Sequence, residues 1–173
     1  MRPLAELVTE RQTLSSDAFL QRHPNPVLVL VVGDDAEEKW RAFRTTLVTS
    51  QALARVRTDL PALLAAYTIV EVTKSTDSPW RHRISLGRAR NNDKLIKDRS
   101  ISKLHAQFTF NEEGEVRLGD CGSRNGTRVN GRRLAPEESL ALAAGDEIRI
   151  GRIDAVYYTP GAFFDFLGTV LGL

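Results

Sequence analysis

From Tyr67 to about residue 159 the chain alternates apolar and polar residues in short runs, each closed by a turn signal. Thr68-Ile69-Val70-Glu71-Val72 alternates, and so do His105 to Phe110, Glu115 to Leu118 and Glu147-Ile148-Arg149-Ile150. A period of two sends successive side chains to opposite faces of a strand, so each run fits a strand with one buried face. The punctuation is Asn91-Asn92-Asp93, Glu113-Gly114, Gly122 to Gly126, Asn130-Gly131 and Ala144-Gly145-Asp146. Parallel strands need long crossovers, usually helical, and these gaps have no room for them. Many short, closely spaced strands predict an all-β sandwich. No internal repeat or low-complexity tract interrupts the pattern.

The flanks have other textures. Leu4, Leu7 and Val8 share one helical face, and Ser15-Ser16-Asp17 offers a cap for a short helix through Phe19 and Leu20 that Pro24 and Pro26 stop. Val27 to Val32 reads as a buried strand ended by Gly33-Asp34-Asp35. Phe43 to Val48 reads as a second strand, Asp59-Leu60-Pro61 as a break, and Gln51 to Val56 fits helix or strand. At the other end Phe163, Phe166, Leu167, Val170 and Leu171 fall on one helical face, although Gly168 and Gly172 weaken that helix. The face suits a terminal helix docked on its own domain. Self-association or partner binding would use the same face. The division expected is an α/β extension over residues 1–66, packed on a sandwich over 67–159, with a short apolar helix over 160–173.

The 173 residues hold 24 Lys/Arg and 22 Asp/Glu, a net charge of +2, which argues against a general nucleic-acid binder or a polybasic membrane protein. The balance is uneven. Arg81 to Lys103 holds eight basic and two acidic residues, a local +6 that leaves −4 for the remainder. The single Cys121 excludes an internal disulfide and any Cys-rich zinc site, and fits a reducing cytosol. His23, His82 and His105 are too scattered to predict a metal site. The N-terminus has no long apolar stretch that would read as a secretory signal, and the run Val27 to Val32 is too short to span a bilayer.

Three polar clusters sit where the strand pattern breaks: Gly87-Arg88, Ser100 to His105, and Gly122 to Thr127. Loops gather at one end of a sandwich and can build a joint site. The chemistry of the three suits an oxyanion. Arginine presents a planar fork that matches phosphate oxygens. Serine hydroxyls and turn N–H groups donate to the remaining oxygens. An asparagine offers a donor and an acceptor suited to a peptide backbone. Each hydrogen bond to a charged group contributes about 1.5–3 kcal/mol, so three or four, net of binding costs, reach roughly the micromolar range. Alone, Arg88 would read as a surface ion-pair residue and Asn125-Gly126 as a hairpin turn. There is no P-loop, nucleophile elbow or kinase signature, and Glu112-Glu113 and Glu137-Glu138 read as solvated charge.

The ordered set Gly87-Arg88, Asn92-Asp93, Ser102-Lys103-Leu104-His105-Ala106, Asp120 to Thr127, Val129-Asn130-Gly131, Gly145-Asp146 and Ile150-Gly151 resembles a forkhead-associated (FHA) domain. The resemblance covers about residues 67–159. It implies an FHA-type β-sandwich of about eleven strands that binds phosphothreonine peptides through the loops at one end. It also implies roles. Arg88 matches the arginine that grips the phosphate, and Ser102 the serine whose hydroxyl contacts it. Lys103 adds charge or a backbone donor. Asn125 matches the asparagine that holds the ligand main chain, and His105 the histidine that braces the loops. Gly87 and Gly126 allow the turns, and Ser100 and Arg124 occupy variable positions lining the site. The stretch Phe19 to Val29 is similar to leaders of some bacterial members.

The expectation is a cytoplasmic, non-enzymatic phosphothreonine-reading module in kinase-linked signalling, without cofactor or metal. It would recruit a phosphothreonine-containing protein, a Ser/Thr kinase or its substrate, and neither nucleic acid nor membrane. The competing reading is an FHA-fold scaffold that binds partners independently of phosphate through its extension or C-terminal helix.

Overall fold

A computed structural model describes residues 1–31, 64, 67–75 and 82–171. The expectations for residues 43–48, 51–56 and 59–61 lie outside the described residues. The chain divides into two compact units, one of Met1–Glu71 with Tyr158–Leu173 and one of Val72–Tyr157.

The first unit begins with β1 (Arg2–Pro3) and α1 (Leu4–Thr13), whose buried face is Leu4, Leu7 and Val8 as the spacing predicts. The Ser15 hydroxyl accepts the Ala18 N–H at 3.3 Å and caps α2 (Ser16–Arg22), which closes at His23 before the two prolines. All five residues of β2 (Val27–Val31) are buried. This strand pairs antiparallel with β3 (Tyr67–Glu71) in the register Val29 to Ile69, and β1 also pairs with β3. A final helix, α3 (Pro160–Leu171), buries Phe163, Phe166, Leu167 and Val170.

Aromatic contacts hold α3 within this unit. The Phe19 ring lies 6.4 Å from Phe163 and 5.4 Å from Phe164, and Tyr158 stacks on Phe166 at 4.9 Å. Arg11 places its guanidinium 3.7 Å from the Phe164 ring centre and donates to the Phe164 carbonyl at 3.2 Å. A Cβ at Gly168 would stand 3.2 Å from that guanidinium, so the glycine that weakens the helix makes room for Arg11. The apolar face that suits either docking or self-association is buried inside the unit. Glu10 closes the polar side, 3.0 Å from Arg2 and 2.7 Å from the buried His23. The His23 hydrogen bond lowers the Glu10 pKa, and arginines assist, against the opposing effect of burial.

The second unit is a sandwich. One layer is β10 (Ser139–Ala141), β7 (Val116–Asp120), β6 (Ala106–Phe110), β4 (Ile84–Gly87) and β5 (Lys94–Leu95), in that order. Its pairs are antiparallel except β4 with β5. The other layer contains β12 (Ile153–Tyr158), β11 (Glu147–Ile150), β8 (Thr127–Val129) and β9 (Arg132–Arg133), also antiparallel. Leu86, Phe108 and Leu118 of the first layer, and Val129, Ile148, Ile150 and Ala155 of the second, form the core. The alternation in β6, β7 and β11 falls where the sequence predicts it. Asn130, at φ 50°, and Gly131 make the tight turn between β8 and β9. Twelve strands are described, ten of them from Tyr67 to Tyr158, against the eleven or so that the resemblance implies. Among the described residues no helix is long and apolar enough to cross a membrane.

Candidate functional site

The first cluster lies at the exit of β4. A Cβ on Gly87 would come within 2.3 Å of the Lys103 carbonyl oxygen and 2.8 Å of the Asn92 side-chain nitrogen, so only glycine fits. That approach lets the loop after β4 bind the loop before β6. Arg88 N–H donates to Ser102 O at 2.9 Å and Ala89 N–H to Lys103 O at 3.1 Å. The Asn92 amide caps the same carbonyl at 2.6 Å. Asp93 accepts from the Ser85 N–H and hydroxyl, each at 2.8 Å, and from the Ser75 N–H at 2.8 Å. The Arg88 Nε donates to the Ile101 carbonyl at 3.1 Å, which aims the exposed guanidinium while leaving its two terminal nitrogens unspent.

The second cluster, residues 100–105, turns on the fully buried His105. Ser102 N–H donates to His105 Nδ1 at 3.0 Å, so the proton sits on Nε2, which donates to the Gly126 carbonyl at 3.2 Å. Burial holds this imidazole below its usual pKa, against smaller opposing effects of the Gly126 hydrogen bond and the Asp120 charge. A single neutral ring therefore joins the second cluster to the third. The Ser102 hydroxyl oxygen accepts the Arg124 N–H at 3.1 Å, and its own proton remains to be donated. Lys103 is exposed beside it.

Ser100 faces inward. Its hydroxyl donates to Asp98 at 2.5 Å and accepts the Arg152 N–H at 3.0 Å, and its carbonyl accepts the Asn125 side-chain amide at 2.7 Å. A Cβ on Gly151, at φ +63°, would stand 2.7 Å from that carbonyl oxygen. Ser100 thus ties the second loop to the β11–β12 turn and orients Asn125.

The third cluster is built on Asp120. Its carboxylate accepts from the Ser123 N–H at 2.8 Å, the Ser123 hydroxyl at 2.7 Å and the Thr127 hydroxyl at 2.6 Å. Burial alone would push this carboxyl up, but these donors, with Thr127 foremost, outweigh it and hold the pKa below the usual value. Ser123 Oγ then accepts the Gly126 N–H at 2.9 Å, which fixes Gly126 at φ +81°. Arg124 and Asn125 project from the tip, exposed. Cys121 is half-buried and burial raises its thiol pKa, so the thiolate that would oxidise readily is disfavoured.

The three loops are bonded to one another through Arg88, Ser102, His105, Asn125 and Gly126. Arg88, Arg90, Lys97, Arg99, Lys103 and Arg124 are exposed on these loops, and among the described residues none of them makes an ion pair. The two acids of the basic window are occupied internally, Asp93 by Ser85 and Ser75, Asp98 by Ser100. Asp98, Asp120, Ser123, Thr127 and Gly151 carry no role that is legible in the sequence alone. For Asp120, the D-x-x-S-x-x-x-T spacing of short polar residues is a signal of the turn it builds.

Residues 84–151 match the model of the FHA domain family. Over 75 residues the chain is 41% identical to the glycogen accumulation regulator GarA of Mycolicibacterium smegmatis, covering 43% of this chain and 45% of that protein. Over 71 residues it is 42% identical to the oxoglutarate dehydrogenase inhibitor of Corynebacterium efficiens, covering 41% and 47%. The matched stretch is thus about half the length of these relatives. Among solved structures, an FHA domain of an Arabidopsis thaliana protein is similar at 22% identity and TM-score 0.48, covering 78% of this chain and 86% of that one. The N-terminal FHA domain of S. cerevisiae Rad53p in complex with a phosphothreonine peptide is similar at 23% identity and TM-score 0.46, covering 57% and 90%. Residues 84–151 are thus the part of the chain that is similar to a forkhead-associated domain.

Proposed function

We propose that the three loops bind a phosphothreonine in a partner protein, and that the chain acts by recruiting that partner in kinase-linked signalling. The observation that supports this most is the set of unspent donors on mutually bonded loops. Arg88 is aimed by Ile101 and keeps its terminal nitrogens, Ser102 keeps its hydroxyl proton, and Asn125 is oriented by Ser100. In this reading Arg88 grips the phosphate, Ser102 and Lys103 donate to its oxygens, and Asn125 holds the ligand main chain. Arg124 and the other loop cations attract an acidic phosphopeptide. Ser100, His105, Gly87 and Gly126 support the site from behind.

Binding without catalysis fits the chemistry. Both His105 nitrogens are engaged with neighbouring groups of the backbone, so this imidazole braces the loops and is not free to act as a base. Both bacterial relatives carry the names of regulators, which supports a role exerted through a partner. The partner class we assign is a phosphothreonine-containing cytoplasmic protein, either a Ser/Thr kinase or its substrate. The organisation proposed is an extension over residues 1–66, the FHA domain over 67–159 and a terminal helix over 160–173.

Calorimetry with matched phosphothreonine, phosphoserine and unphosphorylated peptides tests the reading. The phosphothreonine form binds best, and Arg88→Ala weakens it about 10- to 100-fold, the loss expected for one charge-assisted contact. Equal binding of the three peptides by the folded chain would refute it.

A further inference from the structure

The outer face of the β12–β11–β8–β9 layer carries a row of like charges. Register places Arg149 opposite Arg128, and Arg128 opposite Arg133. Directly opposed residues share a face, and adjacent strands lie about 4.8 Å apart, so the three side chains form a row about 10 Å long. All three are exposed, while Thr127, Val129, Ile148 and Ile150 between them are buried. Like charges directly opposed destabilise a sheet. Asp154 of β12 offsets one end, 3.3 Å from Arg149. Arg128 reaches only the Gly131 carbonyl, at 3.4 Å, and among the described residues neither Arg128 nor Arg133 makes an ion pair. Any polar residue would satisfy the alternation at these positions, so local strand formation does not account for arginine at each.

The far end of the row touches the candidate site. The Arg133 guanidinium packs on Gly126, where a Cβ would stand 2.8 Å from its carbon. Gly126 follows Asn125, the residue assigned to the ligand main chain. The row therefore begins beside the phosphothreonine site and leads away across the sheet.

We infer that Arg133, Arg128 and Arg149 form an acidic-segment subsite, which reads carboxylates flanking the phosphothreonine in the same partner chain. The inference rests on the phosphothreonine reading above. In an extended peptide alternate side chains lie about 6.6 Å apart, so two acidic residues at that spacing fit along the row. An acidic peptide fits better than nucleic acid, because the chain as a whole carries only +2.

The test is a calorimetric comparison of degenerate phosphothreonine peptide pools carrying glutamates, or glutamines in their place, on either flank. The native chain favours one glutamate-flanked pool over its glutamine counterpart by about three- to tenfold, the range expected for exposed pairs, and salt erodes the preference. The variant Arg128→Gln/Arg133→Gln loses the preference but binds the glutamine-flanked pool as the native chain does. An unchanged melting temperature confirms its fold. No preference in the native chain, or a preference that survives in the variant, overturns the subsite and leaves the phosphothreonine reading intact. A phosphothreonine pool bound no better than its unphosphorylated form overturns both. Oligonucleotide binding that the variant loses, with peptide preference unchanged, would reassign the row to nucleic acid.

Discussion

Replacing His105 by leucine tests how the loops are held. Leucine is apolar and similar in size, so the core position stays filled while both ring nitrogens go. The Ser102 N–H then loses its partner, while the Gly126 carbonyl keeps only the Gly151 N–H at 3.1 Å. An unsatisfied buried group costs about 1–3 kcal/mol, so the loss is about that much, a sizeable share of the 5–15 kcal/mol typical of a domain. Urea unfolding gives the total, and amide hydrogen exchange gives the locality, because Ser102 loses its protection first. Affinity for phosphothreonine peptide falls too, since Ser102 and Gly126 flank the site. The native ring also sets a pH dependence. Its folded pKa lies below the unfolded 6.5, so the stability it contributes is complete above 6.5 and is lost as pH falls through 6.5 toward the folded value. That decline is absent in His105→Leu. A destabilisation under about 1 kcal/mol with Ser102 still protected would refute the bracing role.

Other perturbations follow from the same contacts. Gly87→Ala forces a Cβ against backbone that cannot rotate away, and should cost at least about 1–3 kcal/mol and disrupt the Arg88 loop, read by melting temperature and peptide affinity. Asp120→Asn removes charge-assisted acceptors and should cost about 1.5–3 kcal/mol at neutral pH. Because the native carboxyl titrates below its unfolded 3.8, the stability it contributes is present above 3.8 and lost as pH falls below it, and acid titration of Asp120→Asn should show a shallower decline there. Ser100→Ala should lower stability, through Asp98 and the Arg152 N–H, while Ser102→Ala should mainly lower phosphopeptide affinity, a contrast read by denaturation and calorimetry together.

Much of the architecture is legible in sequence because it is local. Period-two runs such as Glu147 to Ile150, the Ser15 cap and the helical face of α3 are set by residues within a few positions of one another. The extended segment Arg2–Pro3 is hidden because its partner, Thr68-Ile69, lies far along the chain. The β4 strand shows no alternation to read because all four residues are buried, Ser85 included through its bond to Asp93. The site divides the same way. Arg88, Ser102, Asn125 and His105 stand out as an ordered set. Ser100 looks in sequence like one more polar residue lining the site, and its inward orientation depends on Asp98 and on Arg152 from a distant turn. The arginine row is also non-local, since register, not spacing, brings Arg128, Arg133 and Arg149 together.

A backbone amide NMR titration with a phosphothreonine peptide tests directly whether the three loops bind the phosphorylated residue. Arg88, Ser102, Lys103, Arg124 and Asn125 should shift together along one saturating curve, and the unphosphorylated peptide should leave them in place. Shifts confined to the first unit, or identical shifts with the unphosphorylated peptide, would contradict phosphothreonine binding by these loops.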